Sequence, residues 1–328
     1  MCRQIISVAR MLASPPGLFA ILFLLLACSI AEAQVSRSAA AYFVRGNASH
    51  SKGDLDAAIA DYDAAIAFDP RYAFAYVRRG DARQEKADFD GAIVDYEKAI
   101  EINPRLIAAF NNRGNARQAN GDLAGAIADF NRAIELDPLS DPTYFNRGNA
   151  RRSNGDFDGA LADFDRAVAI NPRFAEAYAN RAFLLYKRGD PDKAIADCNK
   201  SISINPRLAD AYVNRGAAWV YKGEMDRALS DFDRAISIDP GHAMAYQNRG
   251  VIRSFRGDLD RAVADYDRSI AINPRFALAY MNRGLTRLLQ GRYSEAESDF
   301  ALCLRFDAGL KETLATQIKK GKQQLAAR

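Results

Sequence analysis

The sequence predicts an all-α protein, an α-solenoid of eight 34-residue helix–turn–helix units followed by a capping helix. The first observation is a proline that recurs every 34 residues: Pro70, Pro104, Pro138, Pro172, Pro206, Pro240 and Pro274. The second is a pair of apolar stripes with helical spacing inside each interval. An internal period of this length is typical of solenoids, so 328 residues need not divide into globular domains of ordinary size.

We number each unit so that the recurring proline is its position 32, and we use these repeat positions throughout. The eighth unit has Ala308 where the proline would stand. The predicted units are 39–72, 73–106, 107–140, 141–174, 175–208, 209–242, 243–276 and 277–310. A short linker, residues 34–38, precedes them.

Small and aromatic residues form the two stripes. Position 4 is aromatic and position 20 is alanine in every unit, and position 27 is always small. Position 8 is glycine except at Ala182, and position 24 is aromatic except at Cys198. Positions 4, 8 and 11 share a face of one helix, and positions 20, 24 and 27 share a face of the next. The pattern therefore predicts two amphipathic helices in each unit.

The ends of these helices are also encoded. Gly-Asp or a close variant at positions 15 and 16 predicts a turn, with an acid that favours the start of the second helix. Asp or Asn before proline at positions 31 and 32 disfavours helical geometry and ends that helix. After the last unit, an apolar stripe predicts a capping helix over residues 311–328, which covers the open end: Leu310, Leu314, Ile318 and Leu325.

These motifs resemble the tetratricopeptide repeat family, and the resemblance covers residues 39–310. It implies a right-handed superhelix in which the first helix of each unit lines a concave groove. Positions 2, 5, 6, 9, 12 and 13 are expected to form this groove face. One departure is consistent, because position 7 is arginine where the family usually has leucine. In this the chain resembles an Asn-Arg-Gly subtype found in bacterial members.

Position 23 is aspartate in all eight units, as regularly as position 7 is arginine. A row of free arginines would bind anions. An unpaired charge beside a packed stripe is costly, however, and the acid recurs wherever the arginine does. We therefore interpret the two positions as an internal Arg–Asp ladder, with anion binding as the alternative.

The first 33 residues are typical of an export signal. Arg3 and Arg10 precede an apolar run over residues 18–27, and Ala31-Glu32-Ala33 supplies a cleavage site before Gln34. The sequence therefore predicts a protein exported from a bacterium, either periplasmic or secreted. Two alternatives remain: a lipoprotein anchored at Cys28, and a signal that is retained as a membrane anchor.

The remaining composition indicates no catalytic or nucleic-acid chemistry. The net charge is only +4, and acidic and basic residues alternate, so no nucleic-acid footprint appears. The two histidines, His50 and His242, stand alone, and no phosphate loop, zinc motif or nucleophile elbow is present. Cys198 and Cys303, 105 residues apart, have no metal-ligand spacing. We expect no enzymatic activity and no cofactor.

A row of asparagines is the first candidate binding feature. Position 6 is asparagine in six successive units: Asn112, Asn146, Asn180, Asn214, Asn248 and Asn282. The row resembles the asparagine ladder of O-linked N-acetylglucosamine transferase, which holds extended polypeptide. An amide donates and accepts, so it can match a peptide backbone of any sequence. Alternatively, these asparagines are merely solvated.

The other groove positions change from polar to apolar along the chain. Position 9 is Asn47 at the start and Leu285 at the end, and positions 12 and 13 change likewise. Exposed aromatic residues often anchor partners. The alternative is that these side chains pack under neighbouring units. The candidate anchors are Phe183, Tyr186, Tyr221 and Phe255. Position 5 holds no lysine, so a clamp for chaperone tails is not indicated.

These observations favour a scaffold that binds an extended peptide or a partner protein in its groove. The first alternative is an assembly subunit of a cell-envelope complex, docked by its edges or ends. The second is a non-catalytic accessory to an envelope enzyme. Contact with a membrane is expected only through the signal segment or a lipid at Cys28.

Overall fold

The computed structural model describes residues 38–326, which form helices and the turns that connect them. The predicted signal segment, residues 1–33, lies outside the described residues, as do the final two positions of the predicted capping helix. Within the described range, no helix is both long enough and apolar enough to cross a bilayer. The all-α fold class is confirmed.

The chain divides into two compact units between Asp156 and Phe157. Among the described residues, the first unit contains seven helices: α1 38–51, α2 Leu55–Phe68, α3 Ala73–Glu85, α4 Phe89–Ile102, α5 Ile107–Ala119, α6 Leu123–Leu136 and α7 Asp141–Ser153. The first six of these helices form three consecutive hairpins.

The second unit, described as far as residue 326, contains ten helices: α8 Phe157–Ile170, α9 Ala175–Lys187, α10 Pro191–Ile204, α11 Ala209–Tyr221, α12 Met225–Ile238, α13 Ala243–Phe255, α14 Leu259–Ile272, α15 Ala277–Leu289, α16 Tyr293–Phe306 and α17 Lys311–Ala326. Helices α9 to α16 form four hairpins. A short 3-10 turn, Ala308–Leu310, leads into α17.

Side-chain caps set where the second helix of a hairpin begins and where it stops. The carboxylate of Asp122 accepts the backbone N–H of Gly125 at 2.9 Å, which satisfies a donor at the start of α6. Beyond the end of the same helix, Asp137 accepts the N–H of Leu139 at 3.0 Å. The same two bonds recur along the chain, one to the aspartate at position 16 and the other to the Asp or Asn at position 31.

Close approach of a glycine to an aromatic ring holds together the hairpins that contain both residues. A methyl group on Gly80 would lie 2.7 Å from Cε1 of Tyr96, and one on Gly250 would lie 2.8 Å from Cε1 of Tyr266. No real Cβ approaches a ring so closely, so position 8 must be glycine where position 24 is aromatic. The ring fills the space between the helices, and the alanines at position 20 are fully buried beside it.

The last helix covers the end of the second unit. Leu314 of α17 is buried in one cluster with Tyr280, Met281 and Cys303, and Ile318 packs against that cluster. The basic residues of α17 are exposed: Lys311, Lys319, Lys320 and Lys322. This is the capping arrangement that the apolar stripe predicts.

Candidate functional site

The arginines at position 7 are bound to the aspartates at position 23 of their own hairpins. Arg215 Nε and Nη2 donate to the two carboxylate oxygens of Asp231 at 2.9 and 2.7 Å. The aspartates are buried, and this bond raises the pKa of the Arg215 guanidinium. The same pairing occurs in seven hairpins of the described residues: Arg45–Asp61, Arg79–Asp95, Arg113–Asp129, Arg181–Asp197, Arg215–Asp231, Arg249–Asp265 and Arg283–Asp299.

The remaining nitrogen of the same arginines reaches back to the preceding hairpin. Arg249 Nη1 donates to Asp233 at 2.7 Å, and Arg215 Nη1 donates to Asn199 at 2.7 Å. The guanidinium of Arg249 also lies over the ring of Tyr246, 5.4 Å from its centroid. The ladder therefore ties hairpins to one another as well as closing each of them. The internal-ladder interpretation is confirmed, and these arginines do not form a row of free cations.

The asparagines at position 6 do not share one environment. Asn112 Nδ2 donates to Asp81 of the preceding hairpin at 2.7 Å. Asn214 is only 9% exposed and donates to the backbone oxygen of Ala179 at 3.0 Å. Asn146 and Asn180 are partly buried. Asn248 and Asn282 each line one of the two cavities described below, so the row is a set of different sites rather than a uniform ladder.

In the first unit, the polar groove face is largely bonded to itself. Tyr62 donates its hydroxyl to Asn47 at 2.9 Å, and Tyr96 donates to Asp81 at 2.9 Å. Burial raises the pKa of Tyr96, which keeps this hydroxyl a donor. His50 and Glu85 pair at 2.9 Å. These side chains have partners within the fold, which reduces what they offer to a ligand.

The groove face of the second unit instead opens into an apolar cavity of about 310 Å³. Its lining includes six apolar or aromatic side chains from α9, α11, α13 and the start of α15: Phe183, Tyr186, Val220, Val251, Phe276 and Leu278. The rings of Phe183 and Tyr186 pack edge to face at 5.5 Å, which stiffens one wall. The lining also contains two amides, Gln247 and Asn248, and one cation, Lys187.

A second cavity, of about 570 Å³, adjoins the first because Val251 lines both. Its walls come from α13, α15 and α17 and include Phe255, Leu285, Leu289 and Asn282. Phe255 is 78% exposed, and Val251 is 38% exposed. Together the two cavities form a continuous surface of apolar side chains with polar ones among them, which we call the carboxyl-half groove.

The structure places the four candidate anchors in three situations. Phe183 and Tyr186 lie together in the wall of the first cavity, and burial raises the pKa of Tyr186 to about 12. Phe255 lines the second cavity. Tyr221 is 63% exposed but lines neither, and its hydroxyl reaches toward the turn at Gly189. The predicted anchors therefore share one region, with Tyr221 at its margin.

Sequence reasoning missed Gln247 as a site residue. Position 5 is otherwise apolar in the second unit, with Ala179, Val213 and Met281 all buried. A glutamine in that series is a visible exception, so the sequence carried a signal. Only the structure shows that this side chain opens into the first cavity.

The side chains of this surface are of the kinds that bind a ligand. It offers apolar walls, amides that donate and accept hydrogen bonds, and two lysines. No group of three His, Cys, Asp or Glu side chains that could hold a metal occurs in residues 38–326. Cys198 and Cys303 are buried in different clusters, and burial raises the pKa of each thiol.

Tandem helical hairpins that share one face, lined by apolar and amide side chains, are characteristic of helical repeat proteins. Proteins of this class act as scaffolds for other proteins. Family models for tetratricopeptide repeats match residues 46–87, 80–121 and 148–189, residues 107–138, 175–208 and 209–242, residues 249–309, and residues 232–264. The chain therefore belongs to the tetratricopeptide repeat family. Proteins of this family are generally non-catalytic interaction scaffolds.

Two solved structures show the same fold. A tetratricopeptide repeat protein from Parabacteroides merdae is 22% identical, with 76% of this chain and 99% of that chain covered and a TM-score of 0.63. The APC/C hetero-tetramer Cut9-Hcn1 matches at 13% identity, covering 85% of this chain and 55% of that chain, with a TM-score of 0.67. YrrB, described as having an unusual peptide-binding site, is 24% identical over 56% of this chain and 95% of its own, with a TM-score of 0.47. A search of curated proteins finds no significant match.

Proposed function

We propose that this interaction scaffold binds an extended peptide, or an extended segment of a partner protein, in its carboxyl-half groove. The observation that carries the proposal is the apolar surface shared by two adjoining cavities, in which Phe255 and Val251 remain exposed. Exposed apolar surface bordered by polar groups is typical of interaction sites, and aromatic side chains are frequent anchors.

The two cavity-lining asparagines support binding to a backbone. Among the described residues, the side chains of Asn248 and Asn282 have no hydrogen-bond partner, and both border the groove. Their amides can donate to a peptide carbonyl and accept from a peptide N–H. Asn112 and Asn214 use their amides inside the fold, so this role belongs to the last two members of the row.

Site-specific photo-crosslinking tests the proposal. A benzoylphenylalanine replaces Phe255 in one full-length variant, Gln84 in a second and Val94 in a third, each expressed in the native host. Gln84 lies at a groove position of the polar half, and Val94 is an exposed residue of α4 outside the groove face. We expect a discrete cross-linked partner from position 255 and none from positions 84 and 94.

The alternatives predict other patterns. Equal cross-linking at positions 255 and 84 would place binding outside the carboxyl-half groove. Cross-linking from position 94 alone would indicate docking by an outer surface, which is what an assembly subunit requires.

Export is part of the same proposal. The charged start, the apolar run and the Ala31-Glu32-Ala33 site support a cleaved signal, and they lie outside the described residues. Amino-terminal sequencing of the mature protein is expected to begin at Gln34. A lipid-modified Cys28 would identify an anchored lipoprotein instead, and an intact Met1 on protein recovered from the cytoplasm would rule out export.

A further inference from the structure

Gln247 lies at a repeat position that holds buried apolar residues in the other hairpins of the second unit. It lies at position 5 of its hairpin and is only 7% exposed. The hairpins on either side have Val213 and Met281 at this position, both buried. Within the described residues the Gln247 side chain makes no hydrogen bond. A buried amide without a partner destabilises a fold, so an apolar residue would serve packing better.

The amide of Gln247 is open to the first cavity rather than sealed in the core. It lines that cavity, and neither of its polar atoms is among the fully enclosed ones. Asn111, at the same position of an earlier hairpin, differs in that its Oδ1 is fully enclosed and has no partner. Gln247 can therefore gain its hydrogen bonds from a molecule that enters the cavity, whereas the enclosed oxygen of Asn111 cannot.

The charged residues of the groove indicate which charge that molecule carries. The charged residues that line the two cavities are Lys187 and Lys320, and no carboxylate lines either cavity. Neither lysine has an ion pair in the part of the chain that the structure describes. Lys222, by contrast, is paired with Asp192 at 2.5 Å. The groove thus keeps two cations available beside its apolar walls.

We propose that the carboxyl-half groove is specific for acidic peptides, and that the Gln247 cavity holds one apolar side chain of such a peptide. Gln247 and Asn248 bond to the peptide backbone beside that side chain, and Lys187 and Lys320 face its carboxylates. The proposal rests on the function proposed above and adds the chemistry of the partner. Neighbouring helices lie about 10 Å apart, which an extended chain spans in about three residues. The second cavity therefore takes a second apolar side chain, about three residues along the peptide.

Defined peptides test this specificity on the full-length protein. The probes are fluorescein-labelled 12-residue peptides with two phenylalanines or two leucines three residues apart, in a background of glutamate and serine. A matched set has lysine in place of every glutamate. Fluorescence anisotropy is expected to show at least tenfold tighter binding of the acidic set, with affinity that falls as salt is raised.

Variants locate the binding in this cavity. Gln247→Met, which places the residue of the next hairpin at position 5, is expected to weaken binding of the acidic peptides about fivefold to tenfold. The same change should leave the melting temperature unchanged or raise it, because it removes an unpartnered amide. Asn111→Val is the matched control and should not alter binding. Lys187→Glu should reduce or reverse the preference for the acidic set.

The outcomes separate this inference from the function on which it rests. Peptides that bind with unchanged affinity to Gln247→Met and Lys187→Glu would leave the groove function standing and overturn the Gln247 site. Tighter binding of the lysine set would also overturn it. If neither set binds, and position 255 yields no cross-link, peptide binding in this groove fails altogether.

Discussion

Ala182 and Cys198 replace, within one hairpin, the glycine and the aromatic ring that face each other in its neighbours. Both side chains are fully buried in the same cluster. In the following hairpin, a Cβ on Gly216 would stand 2.6 Å from a ring carbon of Phe232. The alanine methyl therefore requires a small partner, and the cysteine supplies it. The alanine at position 8 and the cysteine at position 24 look like independent exceptions in the sequence, but they belong to a single change in packing.

This pairing predicts a compensating double mutant. Cys198→Phe alone should destabilise the protein by about 1–3 kcal/mol or more, because the ring overlaps the Ala182 methyl. Ala182→Gly alone should cost about 1 kcal/mol of helix stability. The double variant should be more stable than Cys198→Phe, since it restores the usual pair. Thermal melts of the full chain measure this, and strictly additive shifts would contradict it.

The Arg–Asp ladder predicts that equivalent arginines are not equally important. Asp231 is paired with Arg215 alone, because position 11 of its hairpin is Trp219. Asp265 is bonded by both Arg249 and Arg253, the latter at 2.9 Å.

Arg215→Leu should therefore destabilise the protein by on the order of 3 kcal/mol, since it strands a buried carboxylate. Arg249→Leu should be milder, because Arg253 remains on Asp265. Adding Asp231→Ala to Arg215→Leu should recover part of the loss. Chemical denaturation compares the three variants, and equal losses for the two arginines would count against this account.

The turn between α3 and α4 contains a strained residue. Ala87 has a φ of 61°, in the left-handed region, whereas the corresponding residue in the next hairpin is Gly121, with a φ of 88°. A non-glycine residue in this region costs roughly 1–2 kcal/mol. Ala87→Gly should raise the midpoint of denaturation, and Gly121→Ala should lower it by a similar amount. No change in either variant would show that the turn adjusts freely.

A single histidine pair gives the second unit a pH dependence. His242 lies 3.0 Å from a carboxylate oxygen of Asp210, and this hydrogen bond raises the pKa of the imidazole. Because the folded-state pKa exceeds the unfolded value of about 6.5, protonation stabilises the fold below that value. The contribution is lost as the pH rises through the folded pKa.

Asp210→Asn should therefore lower the melting temperature more at pH 5.5 than at pH 8. It should also lower the His242 pKa that NMR measures, with His50→Gln used to assign the two imidazole signals. A His242 pKa that the variant leaves unchanged would refute the pairing.

Local structure was predictable because its causes recur at fixed spacing. The caps at Asp122 and Asp137 depend on residues two or three positions away, and the Arg215–Asp231 pair lies within one hairpin. The same residue types recur at the same positions in successive hairpins, so the pattern is not an accidental match. The asparagine row was less predictable, because Asn112 and Asn214 find their partners 31 and 35 residues earlier, in a different hairpin.

The period of the hairpins, their apolar faces, their ends and the arginine pairs all follow from spacing along one or two helices, so they could be predicted from the residues. Which polar groups the fold uses, and which it leaves available, depends on packing between hairpins. Asn214 and Asn248 are the same residue at the same position, yet one is bonded to a neighbouring backbone and the other borders a cavity. The physical reason is that the surroundings of a side chain depend on the volume and direction of residues in adjoining hairpins, which no spacing rule specifies.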